Sequence, residues 1–181
     1  MTELEHREVR VAESGAVGIV PVEGRGSMPF ALLHGESLVA IASWTLGHAG
    51  VELLDMGASW SQVVEREAPF VVHDPLCPAV AVDLVVTAVE TSLATGSVVA
   101  AVLPGDAGEG DADDARRDVV SPIVLPAAVV AELDDWPDLD DVPAWVESLR
   151  SRWPVTFLEA PANARRVAGE DDLAGLDDRE A

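Results

Sequence analysis

The chain has 181 residues, of which 33 are acidic and 11 are basic, and its formal net charge is −22. Every basic residue is an arginine. A surface this acidic repels nucleic acid and anionic lipid, so we expect it to bind neither. No apolar run reaches the ~20 residues of a membrane span, and the first ten residues lack the apolar stretch of a secretory signal. We therefore expect a cytoplasmic protein, and a chain of this length predicts a single domain.

Strand-like and helix-like segments alternate along the first half of the chain. Apolar runs bounded by glycine or proline predict strands, and apolar residues spaced by three and four predict helices. In chain order these segments are a strand at 15–21, a helix at 37–49, a strand at 51–55, a short helix at 59–67, a strand at 69–73, a helix at 80–95 and a strand at 97–104.

A polar segment at 105–118 interrupts this alternation, and its Gly, Asp and Glu content predicts a flexible acidic loop. After it come an apolar segment at 119–125, a helix from Pro126, an acidic turn at 134–141, a helix at 142–152, a strand at 155–159 and a short helix from Glu170.

This alternation indicates a doubly wound α/β fold with a mainly parallel, Rossmann-like sheet. We predict one domain at 15–176, with a polar extension at 1–14 and a tail at 177–181.

The first candidate for chemistry is the loop Gly24-Arg25-Gly26-Ser27, which follows the first predicted strand. Glycine lets a ligand approach closely, and the backbone N–H groups of such a loop can bind a phosphate. A tight turn without a ligand is the alternative, because the loop lacks the lysine of a P-loop and the third glycine of a dinucleotide site. Glu23 would also place a carboxylate beside any bound phosphate.

The second candidate is Asp74, at the carboxyl end of a buried strand. Ligand groups in α/β sheets lie at this edge, and a carboxylate there suits Mg²⁺. A turn-forming aspartate before Pro75 is the alternative. Neither His34 nor His73 has a nearby nucleophile motif, so we do not expect a catalytic triad. The single cysteine, Cys77, predicts a buried thiol.

The acidic run at 134–141 has the carboxylate density of a cation site. It does not have the spacing of an EF-hand loop, because the central glycine and the terminal glutamate are missing. We therefore interpret it as a solvated cluster at the start of a helix.

Three stretches together form a pattern. They are the strand and glycine loop at 19–27 with F-x-x-L-x-G-x-x-L at 30–38, the segment A-P-F-V-V-H-D at 68–74, and E-A-P-A-N-A-R-R-V-A-G-E-D-D-L at 159–173. In this order they resemble the methylerythritol-phosphate cytidylyltransferases, which couple CTP to a methylerythritol phosphate in isoprenoid precursor synthesis.

The resemblance implies a shortened nucleotidyltransferase-type fold, with CTP as the substrate and Mg²⁺ as the cofactor of an active enzyme. It implies that Gly24, Gly26 and Ser27 contact the nucleotide and that Asp74 binds the metal ion. Arg166 stands where the family has a late lysine and is a candidate catalytic residue.

The sequence differs from the family mainly at positions where the family has cationic side chains. Only Met28 and Pro29 stand where the family has an arginine and a Pro-Lys pair, and Cys77 replaces another arginine. Arg25 is a second candidate catalytic residue, although it lies at a variable position and substitutes for the lost cations only by rearrangement. Because phosphoryl transfer depends on positioning and cations, catalysis is expected to be weakened or lost.

Two hypotheses follow. The chain is a degenerate cytidylyltransferase, or it is a non-catalytic domain of that lineage that binds a nucleotide or a protein partner. The family's dimerisation arm is reduced to the loop 105–118, so we expect a monomer or a dimer that uses another face. We also expect Gly24, Gly26, Asp74 and Arg166 to meet in one crevice at the carboxyl edge of the sheet.

Overall fold

A computed structural model describes residues 2–55, 57–105 and 118–177. The described residues contain eight strands, six of them in one sheet of order β4-β1-β5-β7-β6-β8. The strands are β1 (Val17–Ile19), β2 (Leu32–Leu33), β3 (Glu36–Ser37), β4 (Glu52–Leu53), β5 (Phe70–Val72), β6 (Val98–Val102), β7 (Val119–Leu125) and β8 (Val155–Glu159).

Five strands of the large sheet are parallel, and β7 is antiparallel to its neighbours β5 and β6. The predicted α/β class with a mainly parallel sheet is therefore confirmed. The sequence did not predict the reversed β7 or the small antiparallel pair β2–β3. Because β7 is reversed, its first residues lie at the same edge of the sheet as the carboxyl ends of β5 and β6.

The sheet is covered by helices on both faces, because its strands are apolar on both faces. The helices are α1 (Glu3–Glu13), α2 (Leu38–His48), α3 (Trp60–Val64), α4 (Val82–Thr95), α5 (Ala127–Ala131), α6 (Val142–Arg150) and α7 (Glu170–Asp177). No helix in the described part of the chain is long and apolar enough to cross a membrane.

Successive strand residues contribute to two separate cores. Val71 of β5 and Val99 of β6 pack with residues of α1, α2 and α4. Phe70 and Val98, one position earlier on the same strands, pack with residues of α3, α5 and α6. This is the pattern expected of a pleated strand whose two faces are both buried.

The extension at 1–14 contains α1, which the sequence did not predict. Thr2 and Glu5 form a capping box at its start. Val11 is fully buried, and the Arg7 guanidinium donates to Glu90 of α4 over 2.8 Å. The predicted loop at 105–118 and the tail at 177–181 lie almost entirely outside the described residues.

Candidate functional site

A cleft of about 310 Å³ lies at the carboxyl edge of the parallel strands. It is formed where the glycine loop after β1, the end of β5 and the beginning of β7 meet the acidic turn at 134–141. Its lining includes Arg25, Asp74, Cys77, Ser121, Asp140 and Arg166. The structure thus brings together three of the residues that the sequence singled out, namely Arg25, Asp74 and Arg166.

Asp74 lies at the centre of this cleft and is buried. It follows shortly after β5, and its backbone N–H donates to the Ser121 hydroxyl over 2.6 Å. Its Oδ1 atom accepts a hydrogen bond of 3.0 Å from the Leu76 N–H. The second contact is the Asx-type turn that a residue before Pro75 favours, so the turn interpretation of Asp74 is correct as far as the local backbone is concerned.

Arg25 makes a two-pronged ion pair with Asp74. Its Nε donates to Oδ1 over 3.0 Å and its Nη2 to Oδ2 over 3.3 Å. The guanidinium also donates to two carbonyl oxygens, those of Glu23 at 2.7 Å and Leu139 at 3.0 Å. The Arg25 side chain is only 2% exposed. It therefore connects the glycine loop, the end of β5 and the acidic turn.

Arg166 is the second cation on the same carboxylate. Its Nε donates to Asp74 Oδ2 over 3.0 Å, and its side chain is 48% exposed. The next residue, Val167, is fully buried and donates its N–H to the Leu76 carbonyl over 2.7 Å. This backbone bond fixes where Arg166 enters the cleft.

The two arginines set the protonation of Asp74. Burial would raise the pKa of this carboxyl group, but the hydrogen bonds from Arg25 and Leu76 and the charges of Arg25 and Arg166 outweigh it. The net effect is a pKa below the ordinary value, so Asp74 is ionised at neutral pH.

The glycine loop is partly covered by the chain itself. Gly24 has a φ of +71°, and a Cβ atom there would overlap the Asp140 carboxylate. Gly26 has a φ of +57° with nothing close to the position of its absent Cβ, and Ser27 is exposed. The side of the loop at Gly24 therefore faces an acid, whereas the side at Gly26 is open.

The acidic turn has two roles that the sequence analysis separated only in part. Asp141 caps α6 by accepting a 3.0 Å hydrogen bond from the Ala144 N–H, so the interpretation as a helix-start cluster is correct for this residue. Asp140 and Asp141 also line the cleft, where Asp140 and the Leu139 carbonyl contact the glycine loop. No spacing or motif in the sequence indicates their contact with the glycine loop, which joins residues more than 110 positions apart.

The residues present do not fit a divalent metal ion at Asp74. A carboxylate has about four lone-pair sites, and here four donors already use them, from Arg25 twice, Leu76 and Arg166. No group of three or more His, Cys, Asp or Glu side chains within the described ranges is placed to hold a metal ion.

Two other titratable groups near the cleft are buried and neutral. Burial lowers the pKa of His73 to about 4, and its Nδ1 has no hydrogen-bond partner among the described residues. Burial raises the pKa of the Cys77 thiol to about 11, in agreement with the expected buried thiol. His34 is exposed on the turn between β2 and β3.

The comparisons with known proteins identify the fold. No family model and no curated protein matches the chain. Among solved structures, 2-C-methyl-D-erythritol 4-phosphate cytidylyltransferase from Thermus thermophilus is similar over 92% of this chain and 98% of its own, with 21% identity and a TM-score of 0.63.

Two further solved structures extend the likeness. One is CMP:2-keto-3-deoxy-manno-octonic acid synthetase in complex with CTP, which covers 92% of this chain and 98% of its own at 13% identity and a TM-score of 0.60. The other is a Mycobacterium tuberculosis protein in complex with manganese, with 91% and 98% coverage, 15% identity and a TM-score of 0.56.

The chain shares the α/β fold of these solved structures. At these identities the likeness concerns the fold, and the roles of individual residues stay predictions. The cleft occupies the carboxyl edge of the sheet, where α/β proteins bind ligands.

Proposed function

We propose that this chain is a degenerate cytidylyltransferase, in which the transfer of CMP from CTP to a sugar-alcohol phosphate is weakened or lost. The observation that carries this proposal is the closed cluster of Asp74 with Arg25 and Arg166. Fold likeness to a cytidylyltransferase and to a synthetase in complex with CTP supports the choice of nucleotide. The sequence resemblance supports the choice of acceptor.

The charges lining the cleft explain why we expect CTP to bind weakly. Two arginines, Arg25 and Arg166, face three aspartates, Asp74, Asp140 and Asp141, which leaves one net negative charge. A triphosphate brings further negative charge into the same cleft, and it needs fixed cations or many N–H donors to replace its water. The net charge of −22 adds a repulsive field of the same sign.

Both arginines of the cleft also make hydrogen bonds within the protein. Arg25 directs four hydrogen bonds to protein acceptors, so only one of its five N–H donors is left for a phosphate. Arg166 is the more available of the two because nearly half of its side chain is exposed. In this proposal Arg166 and the N–H groups around Gly26 and Ser27 make the remaining contacts with a nucleotide.

Calorimetric titration with CTP and Mg²⁺ tests whether the chain binds CTP only weakly. We expect a dissociation constant of about 1 mM or weaker. Glu23→Ala should tighten binding slightly, because it removes a carboxylate from the glycine loop. A pyrophosphate-release assay with CTP and methylerythritol phosphate tests whether CMP transfer is lost, and we expect no detectable turnover. Micromolar binding together with pyrophosphate release that Arg166→Ala abolishes would refute the proposal.

A non-catalytic binding domain of the same lineage is the second candidate. Three large apolar side chains favour a protein partner, because they are exposed on neighbouring segments before and within α2. They are Phe30 at 62%, Leu32 at 64% and Trp44 at 59% exposure. Under the protein-binding form of this alternative CTP produces no heat of binding, and an alanine variant of these three residues weakens association with a protein partner.

The oligomeric state and the cytoplasmic location remain predictions from the sequence. Light scattering of the purified chain checks the first. A tight dimer that dissociates on deletion of residues 105–118 would contradict the expectation that the family's arm is lost.

A further inference from the structure

We propose that the guanidinium of Arg25 permanently takes the place of a divalent cation at Asp74, so that this carboxylate binds no metal ion in the folded chain. The inference concerns the carboxylate itself and holds whether or not the cleft accepts a nucleotide. It rests on the occupancy of the carboxylate oxygens, the anchoring of Arg25 and the position of the other acids.

The first step is the occupancy of the Asp74 oxygens. Oδ1 accepts from Arg25 Nε and from the Leu76 N–H, each at 3.0 Å. Oδ2 accepts from Arg25 Nη2 at 3.3 Å and from Arg166 Nε at 3.0 Å. A metal ion would have to displace at least one donor. Displacing Arg25 would also leave a buried guanidinium without its counter-ion, and an uncompensated buried charge is strongly destabilising.

The second step is that Arg25 cannot move aside freely. A guanidinium has five N–H donors, and four hydrogen bonds from this one are directed to Asp74 and to the carbonyls of Glu23 and Leu139. The Leu139 carbonyl belongs to a segment that is itself anchored. Trp60 donates to the Leu133 carbonyl over 2.8 Å, and Trp136 packs edge-on against Trp60 with ring centroids 5.2 Å apart.

The third step is that, while Arg25 occupies Asp74, the nearby acids do not form a metal site of their own. Mg²⁺ requires near-octahedral oxygen ligands at about 2.0–2.1 Å. Asp141 is occupied as the cap of α6, and Asp140 lies against Gly24. Arg25 already neutralises Asp74 from inside the protein, so the charge that a metal would balance is balanced without one.

Binding of Mn²⁺ counted by electron paramagnetic resonance tests the proposal without any activity assay. The measurement is made at physiological salt, which screens diffuse binding to the acidic surface. We expect Arg25→Gln to gain one Mn²⁺ site at least about tenfold tighter than any in the unmodified chain. The double variant Arg25→Gln/Asp74→Asn should lose that site.

Arg166→Gln is the matched control. It removes one positive charge from the same carboxylate but leaves both Arg25 bonds in place, so we expect it to gain no Mn²⁺ site. An equal gain in Arg166→Gln and Arg25→Gln would show that charge alone, and not occupancy by Arg25, excludes the metal, and would overturn the proposal. A tight site in the unmodified chain that Asp74→Asn removes would overturn it as well.

A second measurement on the unmodified chain does not depend on whether any variant folds. The Arg25 Nε–H proton can be followed by nuclear magnetic resonance while Mg²⁺ is added in excess. We expect its signal to keep its position and its slow exchange with water, because the Arg25–Asp74 bonds persist. A shift or loss of this signal that saturates with Mg²⁺ would show that the metal displaces the guanidinium, and would refute the proposal.

Discussion

Replacing Arg25 by alanine should destabilise the folded chain markedly. Truncation leaves the buried Asp74 carboxylate with a half-exposed partner, Arg166, and removes the donor from two carbonyl oxygens. Removing one partner of a buried ion pair costs about 3–5 kcal/mol. Because the cleft admits water and Arg166 remains, we take the lower end, ~3 kcal/mol. For a chain of this size each kcal/mol lowers the melting temperature by about 2–4 °C, so the expected shift is about 6–12 °C.

Urea unfolding followed by tryptophan fluorescence measures this loss. The matched control is Arg10→Ala, which removes an arginine whose side chain is 58% exposed from a surface pair with Glu90. Exposed pairs contribute about 0.2–1 kcal/mol, so the control should lose little. If Arg25→Ala lost no more free energy of unfolding than Arg10→Ala, the ion pair would not be a structural element and the reasoning about the cleft would be wrong.

Three further predictions concern buried positions. Burial lowers the pKa of His73 from 6.5 to about 4. Between these values the unfolded chain binds a proton that the folded chain excludes, so stability falls as the pH falls through this window, by about 3 kcal/mol in total. His73→Gln should reduce the change in unfolding free energy with pH, measured by urea unfolding between about pH 6.5 and 5. The surface variant His48→Gln should leave this change as it is in the unmodified chain. Cys77 should react with a thiol reagent at about pH 8 only after unfolding, because it is buried and its pKa is raised to about 11; one thiol labelled per native chain would contradict this. Gly50→Ala should cost about 1–3 kcal/mol more than Gly96→Ala in the same unfolding assay, because both glycines have positive φ but only at Gly50 would a Cβ overlap the backbone of α1; equal losses would contradict this.

The elements that the sequence predicted correctly are those with a strong local signal. The run Val98–Val102 is apolar throughout and buried on both faces, and α2 begins at a serine cap, Ser37, that accepts from the Ala40 N–H. The helix α1 was missed because its apolar face is narrow, and only Val11 is buried among charged neighbours. The reversal of β7 could not be predicted, since an apolar strand has the same composition in either direction.

The cleft was predictable in position but not in its contacts. The strand ends that carry Arg25 and Asp74 could be placed at one edge of the sheet because parallel strands share that edge. The pairing of Arg25 with Asp74 joins residues 49 positions apart, and its bond to the Leu139 carbonyl spans 114. No periodicity or motif encodes such contacts, because they depend on where the acidic turn packs after the sheet has formed.

An arginine and a metal ion both neutralise an aspartate, but they differ in what else they hold in place. A guanidinium offers directed donors in a fixed fork, which match the two oxygens of a carboxylate. In this chain the fork pairs with Asp74, while the remaining bonds hold the glycine loop through Glu23 and the acidic turn through Leu139. Removing Arg25 to open Asp74 to a metal ion therefore also removes the bond to the Leu139 carbonyl. Without that bond the acidic turn would lose a contact with the glycine loop. The Arg25–Asp74 pair therefore stabilises the arrangement of the cleft as well as balancing charge.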